Sequence, residues 1–253
     1  MIEGVVARCD DPARRDFPFA DWPGALSPAA WVLVMVFTAA GFAALLLLPT
    51  VWRGPAGRWV SVILYVLIPL LGLRLVARDA WRGLFHWPTR RDVLIGLAAA
   101  PATLLASGSV AVVLWRANLT AANPAMGILA HLEGVEFASF FASTAPQLLG
   151  EELSTILPFL AVLSVLHAAL NVPRQTAIAL AWIGSALLFG ALHLPTYQWH
   201  VSQALLVIGA ARLVLTVPYL LTKNLWSSFI AHLTHDWMLF ALVLWGASLA
   251  KAA

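Results

Sequence analysis

The chain has 253 residues, 61% of them hydrophobic and 11% charged, with a formal net charge of +3. A water-soluble domain carries roughly 25% charged residues, so this composition excludes one and indicates an integral membrane protein. No basic face is interleaved with exposed aromatics, which excludes a nucleic-acid partner, and the single cysteine, Cys9, excludes a disulfide framework or a cysteine-based zinc site.

Residues 1–28 are polar and punctuated by proline, and read as a cytoplasmic tail with a short interfacial piece around Phe17 to Trp22. An apolar run at 29–48 has the length of a bilayer span and is closed by Pro49. A second span follows at 59–77, with Pro69 inside it and Arg74 close enough to its end to snorkel. The loop after it holds Arg78, Arg82, Arg90 and Arg91, the densest basic cluster of the chain, which assigns that side to the cytoplasm.

Further spans are predicted at 93–115, 125–145, 147–170, 175–194, 199–221 and 224–249, with Pro146 separating the fourth from the fifth and Pro195 stopping the sixth. Trp52, Trp59, Trp81, Trp87 and Trp115 fall near span ends, as an interfacial belt should. The expected fold is therefore all-α, a polytopic transmembrane bundle of about eight spans with a polar cavity in its C-terminal half. Residues 29–124 are expected to be accessory helices and 125–249 a catalytic-type core. Eight spans leave both termini in the cytoplasm. Membrane lipid is the first partner, and the Ala, Leu, Trp and Arg bias with only Lys223 and Lys251 as lysines suggests the inner membrane of a GC-rich bacterium.

Three polar clusters interrupt the apolar pattern. They are Gly150-Glu151-Glu152, Phe189-Gly190-Ala191-Leu192-His193 and His232-Leu233-Thr234-His235-Asp236. Each ionisable group at membrane depth costs on the order of 2.5–3.5 kcal/mol, so the clusters need a compensating role, such as convergence on a hydrated cavity. An eight-span count strains this idea. It puts Glu151 and His193 near cytoplasmic ends, and His232 about 12 Å from the opposite end of its helix.

A partly desolvated carboxylate is a good base, and an imidazole beside it can hold the same water and share its proton. His232 and Asp236 lie four residues apart on one helical face, where they can donate to an oxygen that becomes negative during attack on a peptide bond. His235 shares much of that face, and Phe189 lies one turn before His193 as core or cavity wall. By contrast, His86, His131, His167 and His200 read as structural histidines. Glu133 and Glu136 share one face of the fourth span and read as a polar or interfacial helix face, with a substrate-facing wall as the sharper alternative.

In order and spacing, these clusters resemble the motifs of the CAAX-prenyl-protease and bacteriocin-processing family of intramembrane glutamate proteases. The family pattern is Glu-Glu-x-x-x-Arg, then Phe-x-x-x-His, then His-x-x-x-Asn or Asp. Here it reads Glu151-Glu152 through Ile156, Phe189 through His193, and His232 through Asp236, and the resemblance covers about residues 125–245. It implies that Glu151 and His193 activate water, that His232 and Asp236 stabilise the oxyanion, and that Glu152 supports them. No cofactor is implied. The substrate class is a peptide or protein, such as a carboxyl-terminal tail or a secreted peptide.

The departure is Ile156, where the family has arginine. Arg212, near the middle of the seventh span, is a candidate replacement partner for Glu152, since each would otherwise be unpaired in the membrane; snorkelling to the headgroups, or a pairing with Glu133 or Glu136, is the alternative for this arginine. Two other readings stay open. Glu, His, His and Asp could instead hold zinc in a metal-dependent membrane hydrolase. Without its arginine, the chain could also be an inactive immunity or regulatory protein on the same fold.

Overall fold

A computed structural model describes residues 15–21, 24–129 and 131–252, so Cys9 and Trp22 lie outside the described residues. The elements are α1 (Pro28–Val51), α2 (Pro55–Ala77), a 3-10 turn (Arg78–Leu84), α3 (Arg90–Arg116), α4 (Pro124–Leu129), α5 (Gly134–Ser164), α6 (Arg174–Leu192), α7 (Gly209–Thr222) and α8 (Leu225–Ala252). Wider turns at Val165–Ala169 and Gln203–Ile208 extend α5 at its end and α7 at its start. The fold is an all-helical polytopic bundle, and the chain is a multi-pass membrane protein. Among the described residues, seven helices are long and apolar enough to cross a bilayer.

The count differs from eight because the runs at 125–145 and 147–170 are not two spans. Pro146 does not end a helix; it lies inside the 31-residue α5. In lipid no water can take up freed backbone groups, so a helix that continues through proline is favoured over a turn. Pro49 likewise sits within α1 rather than closing it. If all seven helices cross, residues 15–21 and the end of α8 lie on opposite sides, which replaces the expectation of both termini on one side.

Helix ends follow local sequence. Ser27 caps α1 by accepting from the Ala30 N–H at 3.2 Å, ahead of Pro28 in the first turn. Thr89 and Asp92 form a reciprocal capping box at the start of α3, each accepting from the other's backbone N–H.

The central helix is α5. Two thirds of its apolar window is buried (67%), against 22% in α1 and in α8. It packs on α1, α2, α6 and α8, and Leu153, Ile156, Leu157 and Leu160 are fully enclosed. The peripheral helices turn side chains such as Val36, Leu71, Leu105 and Leu187 outward, as lipid requires.

Two distinct ends result. One is basic: Arg15 pairs with Asp92 at 2.9 Å, Arg174 with Asp16 and Asp21, and His167 with Asp21 at 3.2 Å. Asn224 donates to Asp92 at 3.2 Å. These contacts gather the starts of α3, α6 and α8 around residues 15–21. That segment is not a free tail there, because Phe17, Phe19 and Ala20 are buried in the main apolar core. At the other end Trp59 donates to Ser139 at 3.1 Å and Ser202 to the Leu119 carbonyl at 3.0 Å. A cavity of about 510 Å³ opens towards that end, lined by Pro49, Arg58, Asn123 and Thr196.

Candidate active site

The paired glutamates sit on the central helix because Gly150, just before them, lets the Tyr65 ring approach. A Cβ on Gly150 would lie 2.4 Å from that ring. α2 can therefore close over the Glu151 turn. Gly190 does the same for α6, since a Cβ there would meet the Ala204 carbonyl oxygen at 2.6 Å. Both glycines of the sequence clusters are thus explained by close approach.

Glu151 points into the cavity and Glu152 away from it. Glu151 Oε1 accepts from the Gln147 amide at 3.1 Å, one turn earlier on the same face. Glu152 is fully buried and gripped by Arg212 through two bonds, Nη1 to Oε1 at 2.7 Å and Nη2 to Oε2 at 2.9 Å. Arg212 Nε turns to Thr216 at 3.3 Å, and its guanidinium lies 5.0 Å from the centre of the Phe189 ring. The arginine that is missing at 156 is therefore supplied from α7, while Ile156 fills core.

The same carboxylate orients an imidazole. His232 Nδ1 lies 2.8 Å from Glu152 Oε1. With both carboxylate oxygens engaged by Arg212, Glu152 is an acceptor, so Nδ1 carries the proton and donates. His232 Nε2 then faces the cavity, 3.8 Å from Glu151 Oε2 and 3.9 Å from Asp236 Oδ1.

His193 caps α6 and is positioned by its own helix: Nδ1 lies 2.9 Å from the Phe189 carbonyl, which can only accept. Its Nε2 is left with a lone pair. The Phe189 ring lies tilted against His193 at 4.6 Å and meets the His232 ring edge-on at 6.3 Å, while the Arg212 guanidinium itself comes within 3.5 Å of His232 Nδ1. His235 Nδ1 contacts Asp236 Oδ1 at 2.8 Å, and its Nε2 is buried with no hydrogen-bond partner among the described residues.

Glu151, Phe189, His193, His232, His235 and Asp236 all line the one cavity, together with Gln147, Thr144 and Tyr197. Among the described residues no direct ion pair joins Glu151 to His193; the imidazole in ion-pair contact with Glu151 is that of His232. Glu133 and Glu136 are exposed at the start of α5 and do not line the cavity. His131 and His200 are also exposed.

Three contributors are absent from the sequence clusters. Gln147 could have been found, because it sits four residues before Glu151. Tyr197 follows α6 in a turn, buried against the cavity, and its phenol is pushed up to about 12 by burial first and by Asp236 and Glu151 second. It is a hydrogen-bond donor at any ordinary pH. α1 and α2 supply Phe42, Arg58 and Tyr65, so the N-terminal helices form part of the cavity wall.

Among the described residues no group of three or more His, Cys, Asp or Glu side chains is arranged to hold a metal ion. Base, imidazole and hydrogen-bond donors on one partly enclosed cavity are the parts of a water-using hydrolase.

No curated protein and no solved structure matches the chain. Residues 134–238 match the family described as type II CAAX prenyl endopeptidase Rce1-like, a segment that begins with α5 and ends two residues after Asp236. The match takes in the clusters that face the cavity, and at family level it implies a CAAX-protease type of intramembrane endopeptidase.

Proposed function

We propose that the chain hydrolyses a peptide bond of an apolar peptide or protein segment, using water activated by Glu151. Glu151 takes a proton from a water that His193 Nε2 also holds. The attack creates a negative oxygen, which receives hydrogen bonds from His232 Nε2 in the doubly protonated ring and from Tyr197. Asp236 accepts from His235 Nδ1 at 2.8 Å and lies 3.9 Å from His232 Nε2, so its charge orients both rings. Glu152 and Arg212 hold His232 at its donor angle without touching substrate. The proton then passes to the departing amine.

The observation that carries this reading is the Glu152–Arg212–His232 chain of contacts. It restores the cation absent at Ile156, which removes the main argument for an inactive immunity or regulatory protein.

The side of the membrane follows from charge. Arg74, Arg78, Arg82, Arg90, Arg91, Arg174 and Lys223 cluster at one end of the helices, and Arg53, Arg58 and Arg116 at the other. The basic end belongs in the cytoplasm. The cavity then opens on the far side of an inner membrane, which favours a secreted peptide or an exported tail over a cytoplasmic one.

The test is cleavage by the purified protein in water enriched in oxygen-18, with and without prior chelation. Products carrying one solvent oxygen on the new carboxyl group, formed equally after chelation, support the reading. No product from any apolar peptide supports the non-enzymatic alternative, and zinc-restored activity supports the metal-dependent one.

A further inference from the structure

A second hollow, a groove of about 370 Å³, lies between α3, α6 and α7. Val110 of α3, Ala186 and Leu187 of α6, and Leu206, Gly209 and Leu213 of the α7 segment line it, and every lining residue is aliphatic or glycine. Leu187 and Leu206 are exposed, so the groove faces lipid. Gly209 keeps its floor open: a Cβ there would meet nothing closer than the Ala186 carbonyl oxygen at 4.0 Å. The groove shares no lining residue with the active-site cavity, which takes Phe189, His193, Ile208 and Ala211 from the same two helical segments.

Its depth in the bilayer follows from the helix ends. Val110 lies about 9 Å, six residues, inside the end of α3 at Arg116. The Ser202 hydroxyl donates to the Leu119 carbonyl at 3.0 Å, which ties that end of α3 to the start of the α7 segment. Counted from Ser202, Leu206 lies about 6 Å and Leu213 about 16 Å along the helix. The groove therefore occupies the hydrocarbon of one leaflet, about 15 Å thick. Trp115 and Trp199 are exposed on the two chain segments joined by that bond and mark the headgroup level there.

Arg116 is exposed at the same level. The sequence has no Asp or Glu between Asp92 and Glu133, nor between Glu152 and Asp236, so neither of these segments carries an acid to neutralise it. A cation at headgroup level, above an aliphatic groove at acyl-chain depth, is complementary to an amphiphile with a negative head and an apolar tail. In a bilayer that molecule is an anionic phospholipid.

We infer that this groove binds one anionic phospholipid, with an acyl chain laid between α3, α6 and α7 and its phosphate held by Arg116. The site stands apart from the endopeptidase reading, since none of its residues faces the active-site cavity. Its occupant touches α6, which leads into His193, and α7, which carries Arg212, and so braces the cavity wall from behind. A zwitterionic phospholipid offers the groove the same chains but brings no net charge to the arginine. The guanidinium takes a phosphate in two-bond geometry, which gives the negative lipid its advantage.

The test is native mass spectrometry of the full-length protein in an uncharged detergent, with equal amounts of dioleoyl phosphatidylglycerol and dioleoyl phosphatidylcholine added. The unaltered protein is expected to retain one phosphatidylglycerol about fivefold more often than one phosphatidylcholine. Arg116→Gln is expected to abolish that preference. Arg53→Gln, which removes an exposed cation from the α1–α2 loop at the same end of the bundle, is expected to keep it. Ala210→Phe fills the groove from α7 and is expected to remove the retained lipid of both kinds, with gel-filtration profiles unchanged.

Equal retention of the two lipids by the unaltered protein overturns the inference. So does a preference that survives Arg116→Gln, or one that Arg53→Gln lowers to the same degree, which would mark a general surface charge. Lipid retention unchanged in Ala210→Phe would place the lipid elsewhere and also overturns it. A second copy of the chain is the other occupant such a groove can take. A dimer mass that carries no lipid and is lost in Ala210→Phe would assign the groove to that copy, against the inference.

Discussion

Arg212 and Glu152 form a two-bond ion pair, at 2.7 and 2.9 Å, in which neither side chain has any solvent exposure. It joins α7 to the central helix and fixes the carboxylate on which His232 leans. Removing one partner leaves a buried, uncompensated charge, which costs about 3–5 kcal/mol.

Arg212→Leu and Glu152→Leu are therefore expected to lower the melting temperature in detergent to a similar degree and to abolish activity alike. Arg212→Lys keeps the charge but loses the two-bond geometry, and is expected to be intermediate. Moving the cation back, as Ile156→Arg with Arg212→Leu, is expected to recover part of the stability, because position 156 is one turn from Glu152. A silent Arg212→Leu would show that the pair does not organise the site.

The two glycines beside the glutamate and histidine clusters make a contrasting prediction. Gly190→Ala places a methyl 2.6 Å from the Ala204 carbonyl oxygen, whereas Gly184 on the same helix has nothing within 4 Å of its added Cβ. Gly190→Ala is expected to destabilise by about 1–3 kcal/mol and to disturb His193. Gly184→Ala is expected to be neutral or slightly stabilising, since alanine is the better helix former. Thermal melts of the two variants side by side test this, and equal effects would contradict the close-approach argument.

Sequence reading picked out the clusters that line the cavity more readily than it picked out the bundle. Glu151, His193, His232 and Asp236 stood out because charge is expensive in lipid, and the Arg212–Glu152 pairing followed from the same cost. Pro146 misled, because proline breaks helices in water, while a lipid-embedded helix runs on through it. Once α5 is one helix, Glu151 lies mid-span and the strain between Glu151, His193 and His232 disappears. The docking of residues 15–21 was hidden by their charges, although Phe17 and Phe19 carried the signal. Arg58 and Tyr197 were not legible, since their role depends on which helices become neighbours.

Membrane orientation can be tested with the chain's only native thiol removed by Cys9→Ser. Ala122→Cys sits exposed between α3 and α4 at the cavity end, and Pro88→Cys sits exposed at the basic end. In intact cells a membrane-impermeant maleimide is expected to label Ala122→Cys, and Pro88→Cys only after lysis. The reverse pattern would place the cavity on the cytoplasmic side and restore cytoplasmic tails as substrates.

The central claim is that Glu151 is the base that activates water. Its most direct measurement is the single-turnover cleavage rate of Glu151→Gln and Glu151→Asp beside the unaltered protein, with melting temperatures matched to show intact folding. Glu151→Gln keeps the size and the contact to Gln147 but cannot accept a proton, and is expected to lose about 10²–10⁴-fold in rate. Glu151→Asp is expected to retain part of the activity. A Glu151→Gln protein that cleaves within a few fold of the unaltered rate would contradict the account.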